Sequence, residues 1–456
     1  MGRSSTTKRG PMPAPQVRTD DESLTRFAGM VPFITFCSET LEVPQLLALA
    51  TKQAGRRRKH AVHHVLFAFL IGAVLGEQRL RHLELLSDDP VLLKFLRLAS
   101  WPVRKVFSLA MGGVSTEGVA HITGTLCGLG LRNVLDATHA VLDFDSTALV
   151  CFGEQEEAVF GYNGKGRNRR RHFPLVASIG EGRGVVNAKY RGGDGIDAKE
   201  QIAFFRETVE MVRARAREGV KLMIRADSGF WSARVCGWFL EQKLPFACSL
   251  PLQAAVKLAL MAATFTLVDP DDEDIESAVI AGPLLGYPAS IRVIAIRRQV
   301  HDASAPPPGK VVHGDERWRY QAIVSSLDWD AADVWRFYND RGDCERVFKV
   351  GKHALGLGCM VSHDFRTNEV AFLLRLLAFN ADLLFQAQAE HRAAETKQPT
   401  IKLGLVARQP RFFRQAGRLL REHNRWVLRV PKNQRLADLW AFYAPDLLRK
   451  PRLRPD

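Results

Sequence analysis

The pattern of apolar positions divides the chain into four stretches. Over residues 22–136 apolar side chains recur at helical spacing, notably in 65–76, 80–86 and 91–98, which predicts a helical N-terminal domain. Over 137–250 the period alternates. Segments 141–147, 173–179, 184–190, 220–226 and 245–249 read as strands, and 197–217 and 232–242 as helices, the first with Asp197 and Glu200 spaced as a capping box. Three strands, then helix, strand, helix and strand describe an α/β layer fold. Residues 251–329 break the rhythm with an acidic loop at 269–276, strands near 291–298 and 320–325, and a Pro-rich loop at 305–309, which reads as a β-rich insertion. Helices return at 331–353 and 367–389, and 391–456 is a basic C-terminal segment.

Composition narrows the class. A chain of 456 residues with 46% hydrophobic side chains supports two to four packed domains. The longest charge-free apolar run, 65–76, is a dozen residues, against the roughly 20 that a membrane span needs. Residues 1–21 carry Arg, Lys, Ser and Pro without an apolar stretch, so they read as a mobile tail rather than a signal peptide. The expectation is a cytoplasmic protein without a membrane partner. Seven dispersed cysteines, none at C-x-x-C spacing, point to reduced thiols.

Charge changes the picture further. The formal net charge is +15, and residues 397–456 hold fifteen Lys and Arg against four Asp and Glu. Such a surplus favours a polyanion, DNA above all. Arg56-Arg57-Arg58-Lys59 gives the helical domain a basic edge. In the tail, Arg408, Arg411, Arg414, Arg418, Arg421, Arg425 and Arg429 form one basic stripe if the segment is helical; alternatively, Glu422-His423-Asn424 is a hairpin turn. The glycine-rich basic loop 161–172, with Lys165, Arg167, Arg169 and Arg170, lacks P-loop spacing and reads as a contact to a DNA backbone.

Phosphodiester cleavage at neutral pH is served by two divalent ions about 4 Å apart. Magnesium takes hard oxygen ligands, so carboxylates at strand ends and on inward helix faces are the candidates. Asp143 and Asp145 share one face of an apolar strand, and either fits the role. Asp227 follows another apolar strand and precedes a Ser-Gly-Phe turn. Tyr338, Arg341, Glu345 and Lys352 are spaced three, four and seven residues apart, which on a helix places them within roughly a 60° arc. Cations flanking an acid along one stripe suit a metal ligand beside a phosphate.

These residues resemble the DDE transposases of bacterial insertion sequences, in the branch marked by Tyr-x2-Arg-x3-Glu-x6-Lys. The signature stands complete as Tyr338, Arg341, Glu345 and Lys352. The strand Leu142-Asp-Phe-Asp-Ser-Thr147 resembles the family's first-Asp motif, which selects Asp145 over Asp143, and Arg225-Ala-Asp227-Ser-Gly-Phe230 resembles the second. The resemblance implies a ribonuclease-H-like catalytic core, formed by 137–250 and 330–390 and interrupted by the insertion at 251–329. It implies Asp145, Asp227 and Glu345 as catalytic ligands of two Mg2+ ions, with Mn2+ as an alternative. It also implies phosphate contacts by Tyr338, Arg341 and Lys352, and a homodimer bridging two ends of a mobile element on double-stranded DNA. Some relatives that cut through a DNA hairpin carry Trp just after the signature Arg; here that residue is Gly342. A DNA-binding relative without catalysis and a metal-dependent endonuclease that never rejoins DNA are the alternatives.

Overall fold

The computed structural model of the chain describes residues 19–52, 59–161, 169–180, 183–193, 195–269, 271–302, 304–307, 309–312 and 315–448, and of 343–345 the backbone alone. The tail reading of 1–18, Arg56–Arg58, and Lys165 and Arg167 of the basic loop lie outside the described residues.

The N-terminal stretch folds as helices, as its spacing predicts. Val62–Val74 (α1) is buried on nearly every side, and Thr116–Leu131 (α2) closes the stretch, capped by the Ser115 hydroxyl, which accepts from Gly118 N at 3.1 Å. The alternating segments then build one sheet. His139–Ser146 (β1), Leu175–Ile179 (β2) and Val185–Lys189 (β3) are antiparallel neighbours. The helix Ala198–Arg213 (α3) leads to Lys221–Ala226 (β4), and Ala233–Glu241 (α4) leads to Phe246–Leu250 (β5). Both strands are parallel to their neighbours, β4 to β1 and β5 to β4, as helical crossovers allow. Asp197 caps α3 by accepting from Glu200 N at 2.7 Å. The Glu200 carboxylate pairs with Arg191 instead of closing the box.

Residues 251–329 continue this sheet. Thr266–Asp269 (β6), Asp272–Ala281 (β7), Arg292–Gln299 (β8) and Trp318–Ser325 (β9) run antiparallel, and β9 pairs with β5 through Ala322–Leu250 to Ser325–Ala247. The spatial order is β6-β7-β8-β9-β5-β4-β1-β2-β3. The acidic loop expected at 269–276 is instead a hairpin, with its acids on exposed strand positions and Glu276 paired to Arg297. Period-two alternation was hidden there because exposed strand positions carry Asp and Glu on both sides of the turn.

The single helix expected at 331–353 is two, Ala331–Asn339 (α5) and Gly342–Ala354 (α6), with Asp340 and Arg341 at the junction and Gly342, a poor helix former, opening the second. Phe365–Glu395 (α7) is long and apolar enough to cross a membrane, yet it is mostly buried inside the protein, against α1 and α2. The tail folds onto the same core. Gly417–Glu422 (β10) and Arg425–Arg429 (β11) form a hairpin, and Gln434–Tyr443 (α8) buries Trp440, Phe442 and Tyr443. His423 and Asn424, with φ of 44° and 61°, make the turn. The basic stripe therefore does not form. Arg408 is buried against Asp382, Arg414 pairs with Glu77, Arg418 with Asp21 and Arg429 with Glu422.

One side chain joins the helical stretch to the sheet. Asn380 of α7 is fully buried; its Nδ2 donates to Leu126 O at 3.1 Å and Val185 O at 2.7 Å, and its Oδ1 accepts from Val185 N at 2.8 Å. It thereby satisfies edge strand β3 where α2 lies so close that a Cβ on Gly130 would meet Val185 O at 2.2 Å. Asn380→Leu should lower stability by several kcal/mol, because each orphaned buried group costs about 1–3 kcal/mol. Chemical denaturation of the two chains measures the difference, and an unchanged midpoint contradicts the bridging role.

Candidate active site

Strand alternation sorts the residues of β1. Leu142 and Phe144 join the core under α3 and α4, with Phe205, Ile224 and Phe239. Asp143 and Asp145 project to the opposite face, where the α5–α6 junction crosses. The register of β1 and β4 pairs Asp143 with Arg225 and Phe144 with Ala226, so Asp145 and Asp227 come level at the carboxyl ends of adjacent parallel strands. Neighbouring strands lie about 4.8 Å apart, which sets the spacing of the two backbones there.

The two acids of β1 have different surroundings. Asp143 is fully buried in a bidentate pair with Arg225, Nε to Oδ1 at 2.6 Å and Nη2 to Oδ2 at 2.8 Å. Arg225 Nη1 also donates to Phe337 O at 2.7 Å, tying the pair to α5. Asp145 is nearly buried; its Oδ1 accepts from Ser146 N at 2.7 Å and its Oδ2 lies 3.4 Å from Arg341 Nη1. Asp227 is half-buried at the sheet rim. Its Oδ1 accepts from Gly229 N at 2.9 Å. Burial pushes its carboxyl above the ordinary range, and the nearby Arg341 charge partly offsets this. Arg341 thus serves both carboxylates.

The signature residues converge here. Tyr338 is 7% exposed, its ring packed with Ala247, Ile294 and Val334. Burial raises the pKa of its hydroxyl, an effect that the nearby Arg341 charge partly offsets. Lys352 Nζ donates to the Thr147 hydroxyl at 2.6 Å, one strand position beyond Ser146; burial lowers its pKa while Asp145 opposes that shift. Position 345 lies between 341 and 352 on the α6 backbone, and the Glu345 side chain lies outside the described atoms. Of the basic loop, Arg169 and Arg170 stand in a short strand, Arg169–His172, of a separate three-stranded sheet. Trp318 and Trp335 carry stacked guanidinium groups, Arg297 at 4.3 Å and Arg298 at 5.1 Å from the ring centres.

Sequence reasoning missed Arg225, Cys248 and Ser249. The Cys248 thiol donates to Asp227 O at 3.2 Å, bracing the turn from β5. The signal for Arg225 was present: Asp143 and Arg225 are separated by the same interval as Asp145 and Asp227.

Among the described residues no three His, Cys, Asp or Glu side chains converge as a metal cluster. The donor set nevertheless fits a hard divalent ion. Two oxygen-only carboxylates stand level on neighbouring strands, a cation already compensates them, and the helix that carries position 345 is tied to the same strand end by Lys352.

The contrast between the two acids of β1 is testable. Asp143→Ala leaves Arg225 as a buried unpaired charge and should cost about 3–5 kcal/mol. Asp145→Asn, which keeps the side-chain shape and an oxygen to accept from Ser146 N while giving up a 3.4 Å contact with Arg341, should leave the melting temperature within a few degrees of the parent. Equal losses from both, measured by thermal unfolding, contradict this division.

No curated protein matches the chain significantly. Among solved structures, the piggyBac transposase synaptic complex with hairpin DNA, determined by cryo-electron microscopy, is similar with a TM-score of 0.48 and 11% identity, over 94% of this chain and 83% of that chain. A family model described as transposase DDE domain group 1 matches residues 16–450. That match spans nearly the whole chain and includes all the residues assembled above, so the protein belongs to the DDE-domain transposase family.

Proposed function

We propose that the chain is a DNA transposase of the Tyr-x2-Arg-x3-Glu-x6-Lys branch, which binds the terminal inverted repeats of its element, cleaves them and joins the freed 3′-hydroxyls to target DNA. The observation that carries this reading is the level placement of Asp145 and Asp227 on adjacent parallel strands, with Arg341 against them and Lys352 locked to Thr147. The strand order β3-β2-β1-β4-β5, with β2 antiparallel to β1, supports a ribonuclease-H-like core. Asp145, Asp227 and Glu345 are the residues that would hold two Mg2+ ions, or Mn2+ in their place. When bound, such a pair supplies an activated nucleophile and relieves charge on the leaving oxygen.

The chain's own groups perform the remaining tasks. Asp145 and Asp227 are fixed by backbone N–H donors from Ser146 and Gly229, so they meet the substrate without rearranging. Arg341 presents a guanidinium fork that matches phosphate oxygens, and Tyr338 positions it from behind. Lys352, tied to the Thr147 hydroxyl, adds positive charge beside the scissile phosphate. Arg169 and Arg170 follow the flanking backbone, together with Lys165 and Arg167. Two copies acting on two ends, in the bacterial cytoplasm at the nucleoid, complete the proposal.

The test uses DNA carrying the element's own ends. With Mg2+, the parent chain should nick and join these ends; Asp145→Asn, Asp227→Asn and Glu345→Gln should each lower the rate at least about 1,000-fold while end binding persists. Chelation by EDTA should stop both steps. Undiminished cutting by any of the three variants removes that residue from the site. Cutting without joining by the parent identifies a nuclease instead.

A further inference from the structure

A small second sheet grows directly from the candidate active strand. Leu149–Val150 follows β1 by three residues and pairs with Arg169–His172, which also pairs with Val159–Gly161; Arg169–His172 is the central strand. Its base is rigid. His172 is fully buried; its Nε2–H donates to Glu156 O at 2.8 Å, which leaves Nδ1 to accept from Tyr190 Oη at 2.6 Å. The Glu156 carboxylate accepts from Phe365 N at 2.9 Å, joining the blade to the start of α7.

The other end of the blade bears two large rings in water. Phe152 is 85% exposed and Phe160 is 63% exposed. Each carries a guanidinium over its face, Arg169 at 5.6 Å from Phe152 and Arg170 at 5.4 Å from Phe160. Phe160 stands directly opposite Arg170 in the ladder. Consecutive strand residues point to opposite faces, so Arg169 with Phe152 occupies one face and Arg170 with Phe160 the other. The blade therefore offers the same aromatic-plus-cation pair on both of its sides.

We propose that this blade is a strand-separating wedge, taking one unpaired nucleotide of an opened DNA end on each face, its base stacked on Phe152 or Phe160 and its phosphate held by Arg169 or Arg170. The proposal rests on the DNA-joining function above and adds the state of the DNA that the site takes. A ring can stack on a base only where the duplex is open, and base–aromatic stacking is indifferent to sequence. Paired cations favour a polyanion over a second copy of the chain, because a twofold contact would set this arginine patch against itself.

Binding of the full-length chain in metal-free buffer, where no cleavage occurs, tests the wedge. The probes are a forked oligonucleotide with 2-aminopurine at the unpaired junction and its fully paired counterpart. Phe152→Leu and Phe160→Leu keep an apolar side chain but remove the π face; each should weaken forked-DNA binding about tenfold and relieve quenching of 2-aminopurine, with the paired duplex changed less than about twofold. Equal affinity of parent and variants for the fork, or equal losses on both probes, overturns the wedge alone. A parent that binds neither probe overturns the DNA reading as well. A drop in oligomeric state of Phe152→Glu, measured by sedimentation, assigns the patch to an interface between copies and also overturns the wedge.

Discussion

The candidate site depends on the register between β1 and β4. A slip of one residue would turn every side chain of β1 to the wrong face, burying Asp145 under α3 and exposing Phe144. The pair Asp143–Arg225 resists that slip, because each member is buried and fully engaged only when the strands are aligned as found. A buried ion pair is weak evidence for net stability, but breaking one is expensive, which suits a role in fixing alignment. The same arginine reaches Phe337 O at the end of α5. One guanidinium thus sets the level of both strand-end acids and anchors the helix junction that brings Arg341 to them.

How much of this was legible in the sequence follows from the range of the forces involved. Local periodicity revealed the strands of the core, the helices α3 and α4 and the long apolar segment of α7, since those signals span a few residues. Fixed offsets located Tyr338, Arg341 and Lys352, and motif likeness chose Asp145 over Asp143. In the structure Arg225 occupies Asp143 from the neighbouring strand, whereas Asp145 faces Arg341. The break at Asp340–Arg341 had one local signal, Gly342, which opens the second helix. The hairpin at 266–281, by contrast, depends on tertiary placement that no local pattern encodes, and its acids on exposed strand positions imitate a solvated loop.

Charge was the least transferable signal. A strongly basic C-terminal segment suggests a surface waiting for a polyanion, yet Arg408, Arg414, Arg418 and Arg429 all have acidic partners within the protein. Arg408, almost wholly buried between Asp382 and Gln386, works as a core residue. Near β1 stand Arg341 against Asp145, Lys352 against Thr147, and the Arg169–Arg170 pair on the blade, the cations that the proposed function assigns to DNA.

The strand Leu24–Thr25 completes its ladder only with β10, nearly four hundred residues later, and α8 seals the apolar core that the first helices begin. At ribosomal speeds of about 5–20 residues per second, that separation amounts to roughly 20–80 s during which the leading helices have been made and their covering has not. The newborn chain therefore carries a long-lived sticky surface, and its yield in a cell should be governed by chaperone capacity more than by the final stability of the fold.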